Sequence, residues 1–383
     1  MSSKVVGIVV TPLGDGASYS GKIKKYETYE ELVNDPNSGK YGIVDNVVYH
    51  KTDDGWVVGF PNIVDEHDYT SFKVYAHDTD IEPGVHDILG EVTESIPASM
   101  THKQTIRTMG KSIDSDIVVD WGDGAFSSIR NGDYDSFTEP YDEWNDSKCV
   151  IGHTYEKTGS YTVKIFGRKY YGLRTPTSSD GIDGVHNFNL IYEALSENCK
   201  LASNVKNLSD FLRNAARLTR LKMSLGILKG VGNIYALCRD CVNLISATGF
   251  PTFESCSAGY IFLNDINLKT TDFVVPAIPT SKTDGAVGRC FEGCIKLENT
   301  VESTLPQTGF TSQRVNINQL YMGCESMTLG DYTNVSFILW GNNQITFCGS
   351  GSLKSNTASV FTGCSDELRA QIPTSWGGTN TDI

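Results

Sequence analysis

The sequence predicts a mainly β protein with several domains, and three observations lead to this expectation. Short runs of alternating apolar and polar residues are separated by Asp, Asn and Gly, which is typical of β-strands joined by tight turns. The chain has 383 residues, too many for one ordinary hydrophobic core. A short motif also recurs through the C-terminal half. We expect a small module over 1–60, a β-sandwich over 61–175 and a solenoid of repeats over 185–383.

The composition excludes two classes of partner. Hydrophobic residues make up 39% of the chain and there are 37 glycines, which is typical of folded, turn-rich proteins. The net charge of -14 repels phosphate backbones and anionic lipids, and no basic run interrupts it, so we expect no nucleic-acid binding. No run of about 18 apolar residues is present, so we expect no membrane insertion.

The first module is predicted to combine one short helix with a β-meander. The helix is expected over 26–33 and ends before Pro36. Strands are expected over 41–44 and 47–50, with Asp45-Asn46 as the turn between them.

This succession, closed by Asp53-Asp54-Gly55-Trp56-Val57-Val58, resembles the small N-terminal modules of phage fibre and capsid-decorating proteins. The resemblance implies that residues 1–60 attach the chain to a virus particle. The side chains expected to dock are Tyr29, Leu32, Tyr49 and Trp56.

The second unit is β throughout, with strands expected over 71–76, 102–107, 116–121 and 161–166. Its most specific feature is a Trp-Gly-Asp-Gly turn, in which the Trp fills the core and the two Asp side chains cap backbone amides. The residues are Asp120, Trp121, Gly122, Asp123 and Gly124, followed after an insertion by His153 and Tyr155. The combination resembles the signature of PKD-like immunoglobulin-type domains, which implies a two-sheet sandwich with His153 and Tyr155 at the start of the closing strands.

The insertion over 125–152 is longer than is usual in that family and is rich in aromatic and acidic residues. Long loops on rigid sandwiches often contact ligands, so Tyr134, Tyr141 and Trp144 are candidates for host-ligand contacts. A solvated insertion that packs on a neighbouring domain is the alternative. Calcium binding by the acids of this loop also stays open, although the loop lacks the spaced oxygen ligands of an EF-hand.

The C-terminal region repeats a bulky residue, a small residue three positions later and a leucine three positions further. This spacing places the first two on one side of a helical turn, and stacking of such short units is obligatory. The expected core residues are Cys241, Leu244, Phe291, Cys294, Leu297, Tyr321, Cys324, Phe361 and Cys364, and Leu195/Asn198/Leu201 is the first copy. The copies resemble the F-x-x-C-x-x-L repeat of BspA-type leucine-rich-repeat surface proteins. The stretch over 372–378 is expected to close the stack.

The polar motifs predict no enzyme, metal or cofactor. Nine of the ten cysteines follow residue 198, and we expect buried free thiols, with disulfides as the alternative. Cys238 and Cys241 have the spacing of half a zinc or redox site, but no matching second pair follows. His-Asp dipeptides at 67, 77 and 86 contain suitable ligands in turn-like settings. No nucleophile elbow, Walker loop or HExxH helix is present, so the expected catalytic set is empty.

Two functions are implied by these resemblances. The first is a structural protein of a phage virion, a head or tail fibre or decoration protein of the type found in Bacteroides phages and crAss-like phages. The second is a bacterial cell-surface adhesin, which requires export. Residues 1–12 lack the pattern of a signal peptide, which favours assembly in the host cytoplasm and a location in the virion. The resemblance implies contact with other virion proteins through the N-terminus, a homotrimer, and adhesion to a host-surface glycan or protein.

Overall fold

The structure is a computed structural model, and it describes residues 24–36, 41–44, 47–52, 55–58, 69–84, 86–87, 90–96, 103–110, 117–129, 147–166, 170–175, 189–253, 255–279, 287–310, 314–341, 346–348 and 357–383. The protein is mainly β, and strands outnumber helices many times over among the described residues. No helix among the described residues is long and apolar enough to cross a membrane.

Twenty-one strands are described, many of only two to four residues. They are β1 Lys24–Tyr26, β2 Tyr41–Val44, β3 Val47–Thr52, β4 Gly55–Val58, β5 Tyr69–Ala76, β6 His86–Asp87, β7 Gly90–Glu91, β8 Lys103–Gly110, β9 Ile117–Asp120, β10 Phe126–Ile129, β11 Ser147–Thr154, β12 Gly159–Phe166, β13 Tyr170–Arg174, β14 Ile191–Ala194, β15 Arg220–Lys222, β16 Ser246–Thr248, β17 Ser255–Cys256, β18 Thr270–Thr271, β19 Ile278–Pro279, β20 Arg314–Asn316 and β21 Thr346–Cys348. The helices are α1 Tyr29–Asn34, α2 Val301–Thr304, α3 Tyr332–Ile338, α4 Asp366–Arg369 and a 3-10 turn at Thr374–Trp376.

The N-terminal module is a four-stranded sheet, β1-β2-β3-β4, with one helix packed on it. Helix α1 begins where the Thr28 hydroxyl accepts a hydrogen bond from the Glu31 N–H at 3.2 Å. The Glu31 carboxylate accepts one in return from the Glu27 N–H at 3.0 Å, so the helix start resembles a capping box. The helix starts three residues later than the sequence predicts, because the polar groups around Thr28 satisfy the first turn.

The second unit contains a five-stranded sheet, β10-β9-β12-β5-β14, and a three-stranded sheet, β11-β8-β13. Phe72 and Val163 from the first sheet and Ile106 and Leu173 from the second are buried in one core. The predicted boundary at residue 175 does not separate this unit from the C-terminal repeats. Strand β14 lies beyond that boundary and pairs with β5.

The C-terminal part is a stack of turns in which each repeat is hydrogen-bonded to the next. Three N–H groups of one repeat donate to three carbonyl groups of the following repeat, as from Ala236, Cys238 and Asp240 at 2.9 Å each. Two of these three donor residues adopt a positive φ, namely the one two positions before and the one two positions after the first core residue. This conformation points their N–H groups in the same direction as the N–H of the first core residue. The non-glycine members of these two columns are Asp210, Ala236, Tyr260, Arg289 and Gln319, and Asn214, Asp240 and Asn264.

Each end of this ladder is covered. At the N-terminal end the Asn189 amide donates to the carbonyls of Phe211 at 3.1 Å and Arg213 at 3.3 Å, and the Thr175 hydroxyl donates to Phe211 at 2.9 Å. At the C-terminal end the Phe361 N–H donates to the Trp376 carbonyl at 3.2 Å. The two-sheet unit and the repeats therefore share one continuous core.

The predicted first copy, Leu195/Asn198/Leu201, is a junction and lacks the ladder. The Ser71 N–H of β5 donates to the Lys200 carbonyl at 2.9 Å, and the Ala202 N–H donates to the Thr70 hydroxyl at 3.1 Å. This segment pairs with the two-sheet unit. Its spacing of three residues matches the repeat pattern, but it lacks the ladder of hydrogen bonds that joins one repeat to the next.

Candidate functional site

The Trp-Gly-Asp-Gly motif forms a tight turn over the core of the two-sheet unit. Trp121 is fully buried, and the Asp120 and Asp123 carboxylates accept hydrogen bonds from the N–H groups of Gly122 at 2.9 Å and Ala125 at 3.0 Å. Gly122 has a φ of +82°, and a Cβ there would lie 2.6 Å from the Thr162 carbonyl oxygen. Glycine is required here because it adopts a positive φ without strain and has no Cβ to clash with Thr162.

His153 and Tyr155 complete this motif from the end of β11. His153 Nε2 lies 2.6 Å from Asp123 Oδ2, and its ring stacks on Trp121 with the centroids 5.1 Å apart. The Tyr155 hydroxyl donates to the Trp121 carbonyl at 3.1 Å. Partial burial is the largest single effect and acts to raise the pKa of the Asp123 carboxyl, but the hydrogen bonds with His153 and the Ala125 N–H and the attraction to His153 together outweigh it, so the pKa is lowered. All seven motif residues therefore meet, and their contacts hold the turn.

The predicted docking residues lie together in the N-terminal module, but not all of them are accessible. Leu32 is 0% exposed and forms the small core with Tyr26 and Val44, so it supports the module from within. Tyr29 is 44% exposed, its ring lies 5.1 Å from that of Tyr49, and its hydroxyl donates to the Trp56 carbonyl at 3.3 Å. Tyr29, Tyr49 and Trp56 thus form one aromatic group on the module.

The predicted host-ligand residues Tyr134, Tyr141 and Trp144 lie outside the described residues. All nine predicted repeat-core residues are buried.

The repeat cysteines act as hydrogen-bond donors between repeats. The thiols of Cys241, Cys294, Cys324 and Cys364 donate to the carbonyl of the first core residue of the preceding repeat, at 2.9 to 3.1 Å. Burial raises the pKa of the Cys294 thiol well above its ordinary value, which keeps the donor proton in place. The eight cysteines whose side chains are described are free and buried. No three metal-ligating side chains converge within the described part of the chain.

Asp265 occupies the cysteine position of its repeat and is 0% exposed. Its Oδ1 accepts a hydrogen bond from the Cys241 N–H at 2.8 Å, and within the described residues its buried Oδ2 has no hydrogen-bond partner. Burial raises the pKa of this carboxyl well above its ordinary value, and the nearby Asp240 charge adds to the rise. A protonated carboxyl can donate as the neighbouring thiols do.

The clearest candidate for ligand contact is the outer face of the ladder, formed by side chains at and beside the positive-φ positions. We define this ladder face as Asp210, Arg213, Tyr235, Arg239, Asp240, Tyr260, Asn264, Arg289 and Glu292. Its repeated geometry comes from the backbone ladder, which sets these side chains side by side.

Tyrosine and arginine dominate the centre of the ladder face. The rings of Tyr235 and Tyr260 lie 5.0 Å apart, and the guanidinium groups of Arg239 and Arg289 lie 5.8 and 5.5 Å from the Tyr260 ring. The two arginine side chains are 28% and 34% exposed. Burial raises the pKa of Tyr235 to about 12, so its hydroxyl stays neutral at physiological pH.

Ion pairs hold the ladder face in this arrangement. Asp240 lies 3.1 Å from Arg239 Nε and accepts a hydrogen bond from the Asn264 amide at 2.9 Å, and Arg289 Nε lies 3.3 Å from Glu292. Burial raises the pKa of Glu292 despite the nearby arginines. Arrayed Tyr and Arg side chains on a rigid support are typical of protein-binding surfaces.

Sequence reasoning missed this surface because it followed the buried positions of the repeat. The available signal was the run of polar and aromatic residues just before and one position after each first core residue. Comparison with known proteins finds no matching family model, curated protein or solved structure. Any functional proposal for the chain therefore depends on these surfaces and on the sequence motifs.

Proposed function

We propose that this chain is a non-enzymatic structural protein of a phage virion, a fibre or decoration protein that displays a binding surface toward the host. In this proposal the two-sheet unit is a PKD-like immunoglobulin-type sandwich and the stack is a BspA-type leucine-rich-repeat solenoid. The observation that carries the binding role is the Tyr235–Arg239–Tyr260–Arg289 group, held on a ladder that is hydrogen-bonded from repeat to repeat.

The assignment to a virion is supported by two further points. The N-terminal module has the succession that resembles phage attachment modules, and its Tyr29, Tyr49 and Trp56 form one aromatic group suited to docking. The eight described free and buried thiols also fit assembly in a reducing cytoplasm. In a trimer, three ladder faces on one particle would raise weak single-site affinity through avidity.

The shared core supports rigid display. Because β14 belongs to the five-stranded sheet and leads directly into the repeats, the two units have a continuous connection. The Asn189 amide joins them further at the first rung of the ladder. A surface fixed in this way loses little conformational entropy on binding.

The test separates docking from host binding. Full-length protein and a Tyr260→Ala/Arg239→Ala variant are supplied in trans to particles that lack the chain. We expect both to be incorporated in equal copy number, because the N-terminal module is unchanged, and the variant particles to adsorb to host cells at least about tenfold more slowly.

A matched control is Lys229→Ala, an exposed residue outside the ladder face. Equal adsorption by all three kinds of particle would remove the ladder face from the proposal. Failure of the wild-type chain to be incorporated would remove the virion assignment.

The second candidate is a bacterial cell-surface adhesin. The same display surface favours it, since an aromatic and arginine-rich face serves a cell wall as well as a particle. Fractionation of cells that express the native gene distinguishes the two: an adhesin is found in the envelope of uninfected cells, and a virion protein is found only in particles and lysates.

A further inference from the structure

A groove lies where the two-sheet unit meets the first rung of the repeat stack. Its volume is about 510 Å³. One side is formed by the end of β14 and the turn that follows it, residues 193–198, and the other by β15 and its extension, residues 220–225. Junctions between units are frequent places for ligand sites.

Strand β15 is the edge of the three-stranded sheet β15-β16-β18. The Thr219 carbonyl accepts from the Ile245 N–H and the Met223 N–H donates to the Thr248 carbonyl, both at 2.8 Å, so odd-numbered residues face β16. Backbone groups alternate along a strand, and those of Arg220 and Lys222 therefore face the groove. The N–H of the next even-numbered residue, Ser224, also points away from β16, since it donates to the Leu195 carbonyl at 2.8 Å. In the part of the chain that the structure describes, no strand pairs with this edge.

The side chains at this edge give the groove its chemistry. Leu221 is buried, while Arg220 and Lys222 on either side of it are exposed. Leu225 is 94% exposed beside them, so it is available for an apolar contact at the same edge.

The carboxylate of Glu193, on the opposite wall of the groove, already has hydrogen-bond partners within the chain. The Glu193 carboxylate accepts hydrogen bonds from Lys73 at 2.7 Å, Ser196 at 2.6 Å and Asn198 at 2.9 Å. These contacts lower its pKa against the opposing effect of partial burial. Glu197 is the remaining exposed acid in the lining, so the two cations of β15 determine the charge along the open edge.

We infer that this groove binds an extended, acidic peptide segment of a partner protein, which adds a strand to the open edge of β15. Backbone groups of Arg220 and Lys222 supply the hydrogen bonds, and Leu225 contacts an apolar side chain of the peptide. Charged side chains on an edge strand block indiscriminate pairing, and an acidic strand is the class that Arg220 and Lys222 admit. Peptide binding here does not depend on the proposed virion function.

Fluorescence anisotropy with the full-length chain tests this inference. The probes are fluorescein-labelled hexapeptides that alternate Glu with Val, that alternate Lys with Val, or that carry Pro in place of the central Val of the acidic peptide. We expect saturable binding of the Glu-Val peptide below about 1 mM, at least about tenfold weaker binding of its Pro form, and none of the Lys-Val peptide.

Two variants localise the site. Lys222→Pro removes the groove-facing N–H but leaves the bonds to β16, which come from odd-numbered residues. Arg220→Glu/Lys222→Glu reverses the charge and leaves the backbone intact, and Lys229→Glu is the matched control. Both groove variants should lower affinity at least about tenfold and the control by less than about twofold.

Several outcomes would overturn the inference. These are the absence of saturable binding by the wild-type chain, binding that the two groove variants leave unchanged, and equal binding of the Lys-Val peptide. If Lys222→Pro alters the thermal unfolding curve, its loss of affinity could come from a changed fold. The affinity of the Arg220→Glu/Lys222→Glu variant then decides whether the peptide binds in the groove. Concentration-dependent dimerisation that Arg220→Glu/Lys222→Glu abolishes would assign the groove to a second copy of this chain instead of a peptide.

Discussion

Replacement of Asp265 by asparagine should change how stability depends on pH. The carboxyl has a raised pKa because it is buried, so the folded chain holds a proton that the unfolded chain releases above its ordinary pKa of 3.8. The folded state therefore binds more protons than the unfolded state, and stability falls as pH rises from about 4 toward the folded pKa. The amide of the Asp265→Asn variant does not titrate, so this contribution disappears.

The magnitude is set by linkage between proton binding and folding. One proton of difference changes the free energy of unfolding by about 1.4 kcal/mol per pH unit. The amide oxygen can still accept from the Cys241 N–H, as Oδ1 does at 2.8 Å, and the amide N–H₂ takes the place of Oδ2, which has no hydrogen-bond partner among the described residues. The variant should gain on the wild type by up to about 1.4 kcal/mol for each pH unit above 4, until the folded carboxyl ionises.

Urea unfolding at pH values from about 4 to 8 measures this difference. Asp265→Cys is the matched control, since it restores the thiol found at this position in the following repeats and also lacks the low-pH titration. Parallel dependence of wild type and Asp265→Asn on pH over the whole range would refute the assignment of a neutral, buried carboxyl.

Three further outcomes are expected. Asn189→Ala should lower the free energy of unfolding by about 1 to 3 kcal/mol, measured by urea unfolding, because the buried Phe211 carbonyl at the start of the ladder loses a donor; an unchanged midpoint would contradict that role. Gly122→Ala should lower the melting temperature much more than Gly84→Ala, since both glycines have a φ near +80° but only Gly122 would place a Cβ against Thr162; equal shifts would show that φ alone matters. The eight thiols described as buried should react with a thiol reagent at pH 8 only after unfolding, since burial raises the pKa of Cys294 well above its ordinary value; rapid labelling of more than two of the ten cysteines in the native chain would contradict their burial.

Local patterns predicted several of the longer strands. Strands expected over 71–76 and 161–166 correspond to β5 and β12, which the alternation of apolar residues specifies because one face of each is buried. The Trp121 turn was also predictable, since two glycines and two aspartates at fixed positions permit one backbone path.

The ladder and the junction were not predictable from local patterns. Tyr260 and Arg289 adopt a positive φ, which is costly for such side chains, and the hydrogen bonds to the next repeat help to offset this cost. Leu195 satisfies the repeat spacing. However, the segment that contains it packs on the two-sheet unit, because the Ser71 N–H donates a hydrogen bond to the Lys200 carbonyl. Both features depend on contacts between residues far apart in sequence.

The predicted docking residues also show which features local patterns can and cannot predict. The resemblance to phage attachment modules suggested Leu32 together with three aromatic residues as docking side chains, yet the helix turns Leu32 inward onto Tyr26 and Val44. The side of a six-residue helix that faces a sheet depends on how that helix packs, and one turn of periodicity does not determine it.

Quantitative mass spectrometry of purified phage particles, from a lysate in which the chain is expressed, decides whether the chain is a virion protein. We expect the chain at a fixed number of copies per particle, a multiple of three, after density-gradient purification and a high-salt wash. Its absence from washed particles, with full recovery in the envelope of uninfected cells, would contradict the virion assignment and favour the adhesin.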